Sequence, residues 1–224
     1  MKKVAILLPA YNEEKNIKMV IDEAKKFFPK SLIVVVDDGS TDSTYYIAKK
    51  TGVTVLRHKE NRGKGEALKT GFIYLLKKNF DFIIIADADR QYKLYDAIKI
   101  LTALKDFGAD IVTGYRIPSD VPFANRVGNF IWRTLFNFLF GTKLKDTNCG
   151  FIGLRKSVIK KIIDIHGGYI IENSILRNAV KNKLKVVQVP VKVSYGKRKI
   201  RKFARMFFGV LFFILVEGLK FRLK

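Results

Sequence analysis

The chain predicts an α/β domain on a mainly parallel, three-layer sheet, and three observations support this. Short, continuously apolar runs recur, helix-period segments separate them, and the clearest runs end in polar, turn-forming residues. Runs that are apolar throughout suit strands covered on both faces, the condition of a parallel sheet between two layers of helices. The first run is Val4-Ala5-Ile6-Leu7-Leu8, followed at helical spacing by Ile17, Val20, Ile21, Ala24, Phe27 and Phe28. Leu32-Ile33-Val34-Val35-Val36 is the second, and the helix after it is expected to stop near Gly52, where glycine can take the left-handed closing conformation. A strand at 53–56 then precedes a helix whose Ala67, Leu68, Gly71, Phe72, Leu75 and Leu76 share one face. A strand over 81–86, a helix around 95–107 and a strand at Ile111-Val112-Thr113 continue the alternation.

A length of 224 residues fits one such domain with a short appendage, and a 48% hydrophobic content supplies its core. Forty-three Lys and Arg against 20 Asp and Glu give a net charge of +23, which favours an anionic partner: a nucleotide, a lipid phosphate, a nucleic acid or an acidic membrane surface. No zinc-finger, RRM-like or helix-turn-helix signature is present, and acidic strand ends repel phosphate unless a metal is bound, so nucleic acid is not the expected partner. The single cysteine, Cys149, excludes an internal disulfide framework and is compatible with a reducing cytosol. Met1-Lys2-Lys3 leads into a strand rather than a signal peptide, so the protein is expected inside the cell.

In parallel sheets ligands bind beyond the carboxyl ends of the strands, so the residues after each run carry the chemistry. They are Pro9-Ala10-Tyr11-Asn12-Glu13, Asp37-Asp38-Gly39-Ser40 and Asp87-Ala88-Asp89-Arg90-Gln91, which are expected to converge on one rim. Two carboxylates one residue apart at a strand end supply oxygen ligands suited to Mg²⁺ or Mn²⁺, ions that bridge to a diphosphate; taken alone, the pair also reads as a solvated acidic turn. Asp37 and Asp38 suit hydrogen bonds from a base or ribose, Tyr11 offers a ring face, and Gly39 permits close backbone approach. Gly39-Ser40-Thr41-Asp42 reads equally well as a turn with a helix cap. Asn61-Arg62-Gly63-Lys64-Gly65-Glu66 has the small residues, cations and helix start of a phosphate cradle. It lacks the third glycine of a dinucleotide turn and the spacing of a P-loop, which weakens dehydrogenase and P-loop readings. His58 reads as a structural histidine, and His166 has no partner identifiable from sequence.

In this order, Pro9-Ala10-Tyr11-Asn12-Glu13, Val36-Asp37-Asp38-Gly39-Ser40, Asn61-Arg62-Gly63-Lys64-Gly65 and Asp87-Ala88-Asp89 resemble the motifs of family 2 glycosyltransferases of the GT-A (Rossmann-like) fold, over roughly residues 3–200. Gln91, Gly114-Tyr115-Arg116, Arg126, Asp146-Thr147-Asn148-Cys149-Gly150-Phe151 and Arg155 resemble the dolichol-phosphate mannose synthase branch. The resemblance implies that Pro9, Tyr11, Glu13 and Asp38, with Lys64 and Asp87, hold the nucleotide-sugar, while Asp87, Asp89 and Gln91 hold Mg²⁺ or Mn²⁺. It implies inverting transfer of a hexose to a polyprenyl phosphate such as dolichyl phosphate. GDP-mannose is the favoured donor, and a UDP-sugar suits the same pocket geometry. Because that acceptor is already an anionic nucleophile, no strong general base is needed, and catalysis rests on positioning and charge neutralisation. Asp89, Arg116 and Arg126 are the catalytic candidates; Arg116 and Arg126, with Arg198 or Arg201, are candidates to grip the acceptor phosphate, whose geometry guanidinium matches. A solvated surface role stays open for each arginine. Arg90 and Lys93 depart from the branch pattern at positions that bear on donor specificity, and Cys149 stands where relatives often have serine. Glu172 reads either as a base for a hydroxyl acceptor or as a helix-capping or salt-bridging residue. A non-catalytic nucleotide-sugar-binding scaffold is the remaining alternative.

Membrane contact is expected independently of that resemblance. The segment at about 122–141 contains Phe123, Val127, Phe130, Ile131, Trp132, Leu135, Phe136, Phe138, Leu139 and Phe140, interrupted by Arg126 and Arg133. Near the C-terminus the basic run Gly196-Lys197-Arg198-Lys199-Ile200-Arg201-Lys202 precedes an apolar run from Met206 to Val216, shorter than the ~20 residues that span a bilayer. Both segments read as amphipathic interfacial helices, with cations facing lipid phosphates and aromatics at the boundary, or alternatively as core-packing helices or an oligomer interface. The expected organisation is a GT-A catalytic domain over 1–200, including the interfacial helix at about 122–141, and a membrane-associating segment over 201–224. Placement is expected at the cytoplasmic face of the membrane, peripheral or monotopic, with room for a separate membrane-protein partner.

Overall fold

The computed structural model describes residues 3–117, 119, 121–165, 170–194 and 201–223. The chain alternates as the apolar runs require: β1 Val4–Ala10, α1 Ile17–Phe27, β2 Leu32–Asp37, α2 Thr44–Lys50, β3 Thr54–Arg57, α3 Lys64–Leu76, β4 Phe82–Ile85, α4 Ala97–Asp106 and β5 Ile111–Arg116. There follow α5 Phe123–Phe140, β6 Ile152–Arg155, α6 Ile159–Ile162, α7 Ile171–Lys181, β7 Val186–Val191 and α8 Arg201–Arg222. The seven strands form one sheet in the order β3-β2-β1-β4-β6-β5-β7. Every pairing is parallel except those of β6, which runs antiparallel to both neighbours, β4 and β5. The three-layer, mainly parallel α/β architecture expected from sequence is the observed one. The helix expected around 95–107 is α4, preceded by a 3₁₀ turn at Leu94–Asp96, and α2 ends just before Gly52, whose φ of +78° is the expected left-handed conformation.

Alternation along β1 shows why its run is apolar throughout. Ile6, Leu8 and Ala10 enter one core with α1 and α4, whereas Ala5 and Leu7 enter the other with α3 and α7. Each fully buried aliphatic side chain of this kind stabilises the fold by roughly 1.5–3 kcal/mol, so the two faces together secure a central strand. Because β1 lies between β2 and β4, the chain crosses one way to reach β2 and the other way to reach β4, and the loops leaving β1 and β4 part at a topological switch point.

The sheet supports a third apolar cluster in which α5 packs on α8. Trp132, Phe136, Leu139 and Phe140 of α5 meet Val210, Phe213 and Ile214 of α8, with Leu176 of α7 beneath. These residues fulfil the core-packing alternative. A second stripe faces outward on each helix: Phe123, Val127, Phe130 and Phe138 on α5, and Phe208, Phe212, Leu215 and Leu219 on α8 are all exposed. Spacings of four, seven and fifteen residues on α5, and of four, seven and eleven on α8, place each set on one helix side. Among the described residues, no helix is long and apolar enough to cross a membrane.

A polar clamp fastens α8. Glu217 accepts a hydrogen bond at 2.8 Å from buried Arg177 of α7, and Lys181 and Lys220 lie 3.3 and 3.2 Å away. Arg222 donates to the carbonyls of Leu139 (2.9 Å) and Phe138, closing the C-terminal turn of α5. Partial burial pushes the Glu217 carboxyl up, but hydrogen bonds from Arg177, Lys220 and Lys181 outweigh it and hold the group at about 2. A depressed carboxyl stabilises the fold fully above its unfolded value, here 4.5, and that contribution is lost as pH falls through about 2. Glu217→Gln is expected to lower stability by about 1.5–3 kcal/mol in urea melts and to expose α8 to limited proteolysis; the wild type should show the same loosening only on acidification.

Candidate active site

The loops after β1, β2 and β4 line one cavity of about 460 Å³ at the carboxyl edge of the sheet. Of the residues singled out in the sequence, Pro9, Tyr11, Glu13, Asp38, Lys64, Asp87, Asp89, Gln91 and Arg116 all line it, as does Glu172. Arg126 does not: it is exposed on α5, with its guanidinium 5.7 Å from the Phe123 ring centre. Arg198 and the side chain of Arg201 lie outside the described residues, as does His166.

Asp38 is a hub for the loop before α3. Its Oδ1 accepts the Arg62 N–H at 3.0 Å and its Oδ2 the Gly63 N–H at 2.7 Å, while Nδ1 of His58 lies 2.6 Å from Oδ1. The His58 Nε2 lies 2.8 Å from the Thr70 hydroxyl, so both ring nitrogens are engaged by neighbouring side chains. His58 is thus the structural histidine that the sequence suggested. Asp37 does not line the cavity; buried under Arg57, it lies 3.1 Å from that Nε. Ser40, Thr41 and Thr44 stitch the β2–α2 loop to the β1–α1 loop. Ser40 Oγ accepts the Asn12 N–H at 3.0 Å, Thr44 Oγ1 accepts the Glu13 N–H at 2.7 Å, and Thr41 N–H donates to Asn12 Oδ1 at 2.9 Å. The segment Gly39 to Asp42 therefore takes its turn-and-cap role, outside the cavity lining. Gly39, at φ +69°, permits a close approach to protein backbone: a Cβ there would lie 2.3 Å from the Glu60 carbonyl carbon.

Electrostatics divide the cavity. Among the described residues, five carboxylates (Glu13, Asp38, Asp87, Asp89, Glu172) face it against two cations, Lys64 and Arg116. Arg116 is engaged by Asp146 through a two-pronged contact, Nε to Oδ2 at 2.7 Å and a terminal nitrogen to Oδ1 at 2.8 Å. Lys64 lies 2.6 Å from Asp87 and 3.0 Å from Glu172, and although burial lowers its pKa these two carboxylates drive it well above the ordinary lysine value. Glu13 is raised, chiefly by burial and further by the nearby charges of Asp89, Asp42 and Asp87, against a hydrogen bond from Asn16. Burial pushes the Cys149 thiol up to about 12, and the residue is not part of the cavity lining.

The chemistry and space of the donor set fit a divalent cation. Asp87 and Asp89 both line the cavity, with a left-handed Arg90 (φ 60°) after them and the Gln91 N–H donating to Asp89 at 3.0 Å, and they offer only hard oxygen donors, which suit Mg²⁺ or Mn²⁺. Gly150 keeps the approach open, since a Cβ there would lie 2.8 Å from Asp87 Oδ2. Among the described residues no group of three His, Cys, Asp or Glu side chains forms a complete metal site. That fits an ion held by one or two carboxylates and completed by substrate phosphates.

Sequence reading assigned no site role to Asn125, Asn129 and Val210, nor to Trp132, which it read only as part of an interfacial helix; all four, with Asn148, line the cavity. The signal was available: amides four apart in an otherwise aromatic helix mark a polar stripe on one side of it.

A doubly wound sheet with an acidic crevice at its switch point has the architecture of the GT-A fold. The structure of glucosyl-3-phosphoglycerate synthase from Mycobacterium tuberculosis, in complex with Mn²⁺, UDP and glucosyl-3-phosphoglycerate, shares this fold with a TM-score of 0.79 at 22% identity, covering 97% of this chain and 80% of that one. The family model for glycosyl transferase family 2 matches residues 5–163, and the chain belongs to that family. It is a glycosyltransferase. Its relatives include the UDP-N-acetylglucosamine--dolichyl-phosphate N-acetylglucosaminyltransferase of Methanococcus voltae, 28% identical over 98% of this chain and 96% of that protein. The polyprenol monophosphomannose synthase of Mycolicibacterium smegmatis is 29% identical over 85% and 77% respectively.

Gly39→Ala should cost about 1–3 kcal/mol, since the methyl group meets backbone that cannot rotate away and the left-handed φ disfavours a Cβ. A lower melting temperature together with weaker nucleotide binding is the expected outcome, because the displaced 60–63 loop carries the start of α3.

Proposed function

We propose that the protein transfers a hexose from a nucleotide-sugar to a polyprenyl phosphate such as dolichyl phosphate, with inversion and in dependence on a divalent cation. One observation carries this reading: the helix pair that walls the acidic cavity, through Asn125, Asn129 and Trp132 of α5 and Val210 of α8, also carries the exposed apolar stripes. A lipid-borne acceptor held at a bilayer surface along those stripes reaches the cavity without crossing water. Residues 1–200 act as the catalytic unit and 201–224 as a membrane-associating segment, peripheral at the cytoplasmic face, with a membrane-protein partner compatible with the arrangement.

In the reaction, a phosphate oxygen of the acceptor attacks the anomeric carbon from the side opposite the nucleotide. The new carbon–oxygen bond forms as the bond to the nucleoside diphosphate breaks, and the electron pair leaves with the diphosphate. No proton need be removed from the nucleophile, so the pocket's tasks are orientation and charge neutralisation. Pro9, Tyr11, Glu13 and Asp38 shape the nucleotide pocket. Asp87, Asp89 and Gln91 hold Mg²⁺ or Mn²⁺, which when bound offsets the charge developing on the departing diphosphate. Cavity charge supports this requirement, since five carboxylates repel a diphosphate that arrives without a cation. Arg116, oriented by Asp146, and exposed Arg126, with Arg198 and Arg201, grip the acceptor phosphate. GDP-mannose is the leading donor; relatives that use different sugars make UDP-sugars the next to try.

Purified protein incubated with dolichyl phosphate, Mn²⁺ or Mg²⁺ and each of several radiolabelled nucleotide-sugars should place label in the organic phase only when metal is present. Asp89→Asn should reduce transfer by at least about 100-fold with an unchanged melting curve, a loss of several kcal/mol of transition-state stabilisation. Arg126→Ala should raise the KM for lipid phosphate more than that for donor. Glu172, in the cavity lining beside Lys64, supports one rival, a hydroxyl acceptor with Glu172 as base. That rival predicts loss of activity in Glu172→Gln and full activity in Arg126→Ala.

A further inference from the structure

Lys64 opens α3, Asp87 follows β4, and Glu172 lies in the first turn of α7, yet the three side chains meet. The ammonium is 2.6 Å from one carboxylate and 3.0 Å from the other, and the lysine and glutamate are 108 positions apart in the chain. Gly150 abuts the group from a fourth element: a Cβ there would lie 2.8 Å from Asp87, 3.0 Å from Lys64 and 3.2 Å from Glu172. The glycine thus abuts the tips of three charged side chains, one of them a proposed ligand of the divalent cation, and a larger residue there would displace them.

We propose that Lys64 is a resident counter-ion, which holds Asp87 and Glu172 together in the empty site and gives up Asp87 when a divalent cation and a nucleoside diphosphate enter. This inference rests on the metal-dependent reading above. Two carboxylates sharing one monovalent partner attract a divalent ion more strongly than they attract the lysine, because Coulomb attraction scales with charge. The Lys64 side chain is half-buried, 29% exposed, so solvent screens its ion pairs only in part and the ammonium can re-pair without being sealed from water. Displacing it without a new anion to pair with nevertheless costs free energy, so metal binding alone is weakened. Once a diphosphate is present, the released ammonium has a partner at the helix start where phosphate is favoured. Metal and diphosphate therefore strengthen each other's binding, and linkage makes the effect reciprocal. Direct contact between the two ligands contributes to that coupling as well, and the share owed to Lys64 is the part that its removal takes away.

Titration of Mn²⁺ into the full-length protein, with free Mn²⁺ read by electron paramagnetic resonance, tests this with and without saturating GDP or UDP. Lys64→Gln is expected to bind Mn²⁺ alone about 3–10-fold more tightly than wild type, and the enhancement by diphosphate should shrink by a similar factor. Lys64→Arg, which keeps the charge, should behave as wild type. Melting curves establish folding, and Lys64→Met gives a second uncharged variant if the glutamine form is unstable. Unchanged or weaker Mn²⁺ binding in the uncharged variants, with wild-type enhancement by diphosphate, overturns the counter-ion role while leaving metal dependence standing. A wild type that binds no Mn²⁺, with or without diphosphate, overturns the metal-dependent reading and the counter-ion role together.

Discussion

Like charges crowd one crevice, and the rest of the site answers that crowding. Glu13 follows β1 while Asp87 and Asp89 follow β4, adjacent parallel strands whose outgoing loops open a gap between them. Each carboxylate brought near another raises the free energy of the ionised set, and the chain compensates group by group. Asp38 is satisfied by two backbone N–H groups and His58, Asp87 and Glu172 by Lys64, and Asp146 by Arg116, while Asp37 is charge-paired with Arg57 although its buried Oδ2 makes no hydrogen bond among the described residues. Glu13 responds by an upward shift of its pKa. In a chain of net charge +23, the cavity at the switch point is lined by more carboxylates than cations. That local inversion of sign separates a surface suited to anionic lipid from a pocket suited to a cation.

The second constraint is apolar. Helices α5 and α8 each carry more aromatic surface than one contact can cover. Packing Trp132, Phe136 and Phe140 against Val210, Phe213 and Ile214 covers one side of the pair and leaves Phe123, Phe130, Phe138, Phe208 and Phe212 outward. Without the Arg177–Glu217 pair and the Arg222 contacts, α8 would be held mainly by apolar packing. The polar clamp fixes which side of α8 faces inward, and so which side stays exposed.

Much of this was legible in the sequence, and the reasons are specific. The runs at β1, β2 and β4 are apolar at nearly every position because both sheet faces are covered, and such runs stand out without an alignment. Asp87-Ala88-Asp89 was legible because strand-end position and residue type coincide. β6 and β7 escaped notice: Ile152–Arg155 is four residues long, and Val186–Val191 carries Gln188 and Pro190, so neither shows a sustained period. The ligand role suggested for Asp37 fails because Arg57, its register partner on the neighbouring strand β3, takes that carboxylate. Asn125 and Asn129 were passed over because the aromatic residues around them dominated the reading of the helix.

The sequence by itself determined the first five strands, the helices between them and the acidic residues of the rim, since these depend on local period and on the residue types just past each strand end. Only the tertiary structure decided how those residues are paired. The contacts of Lys64 with Glu172, of Arg177 with Glu217 and of Arg116 with Asp146 join segments 30 to 108 positions apart. Charge pairing falls off within a few ångströms and carries no periodic signature along the chain, so it becomes visible only once the fold has set the distances.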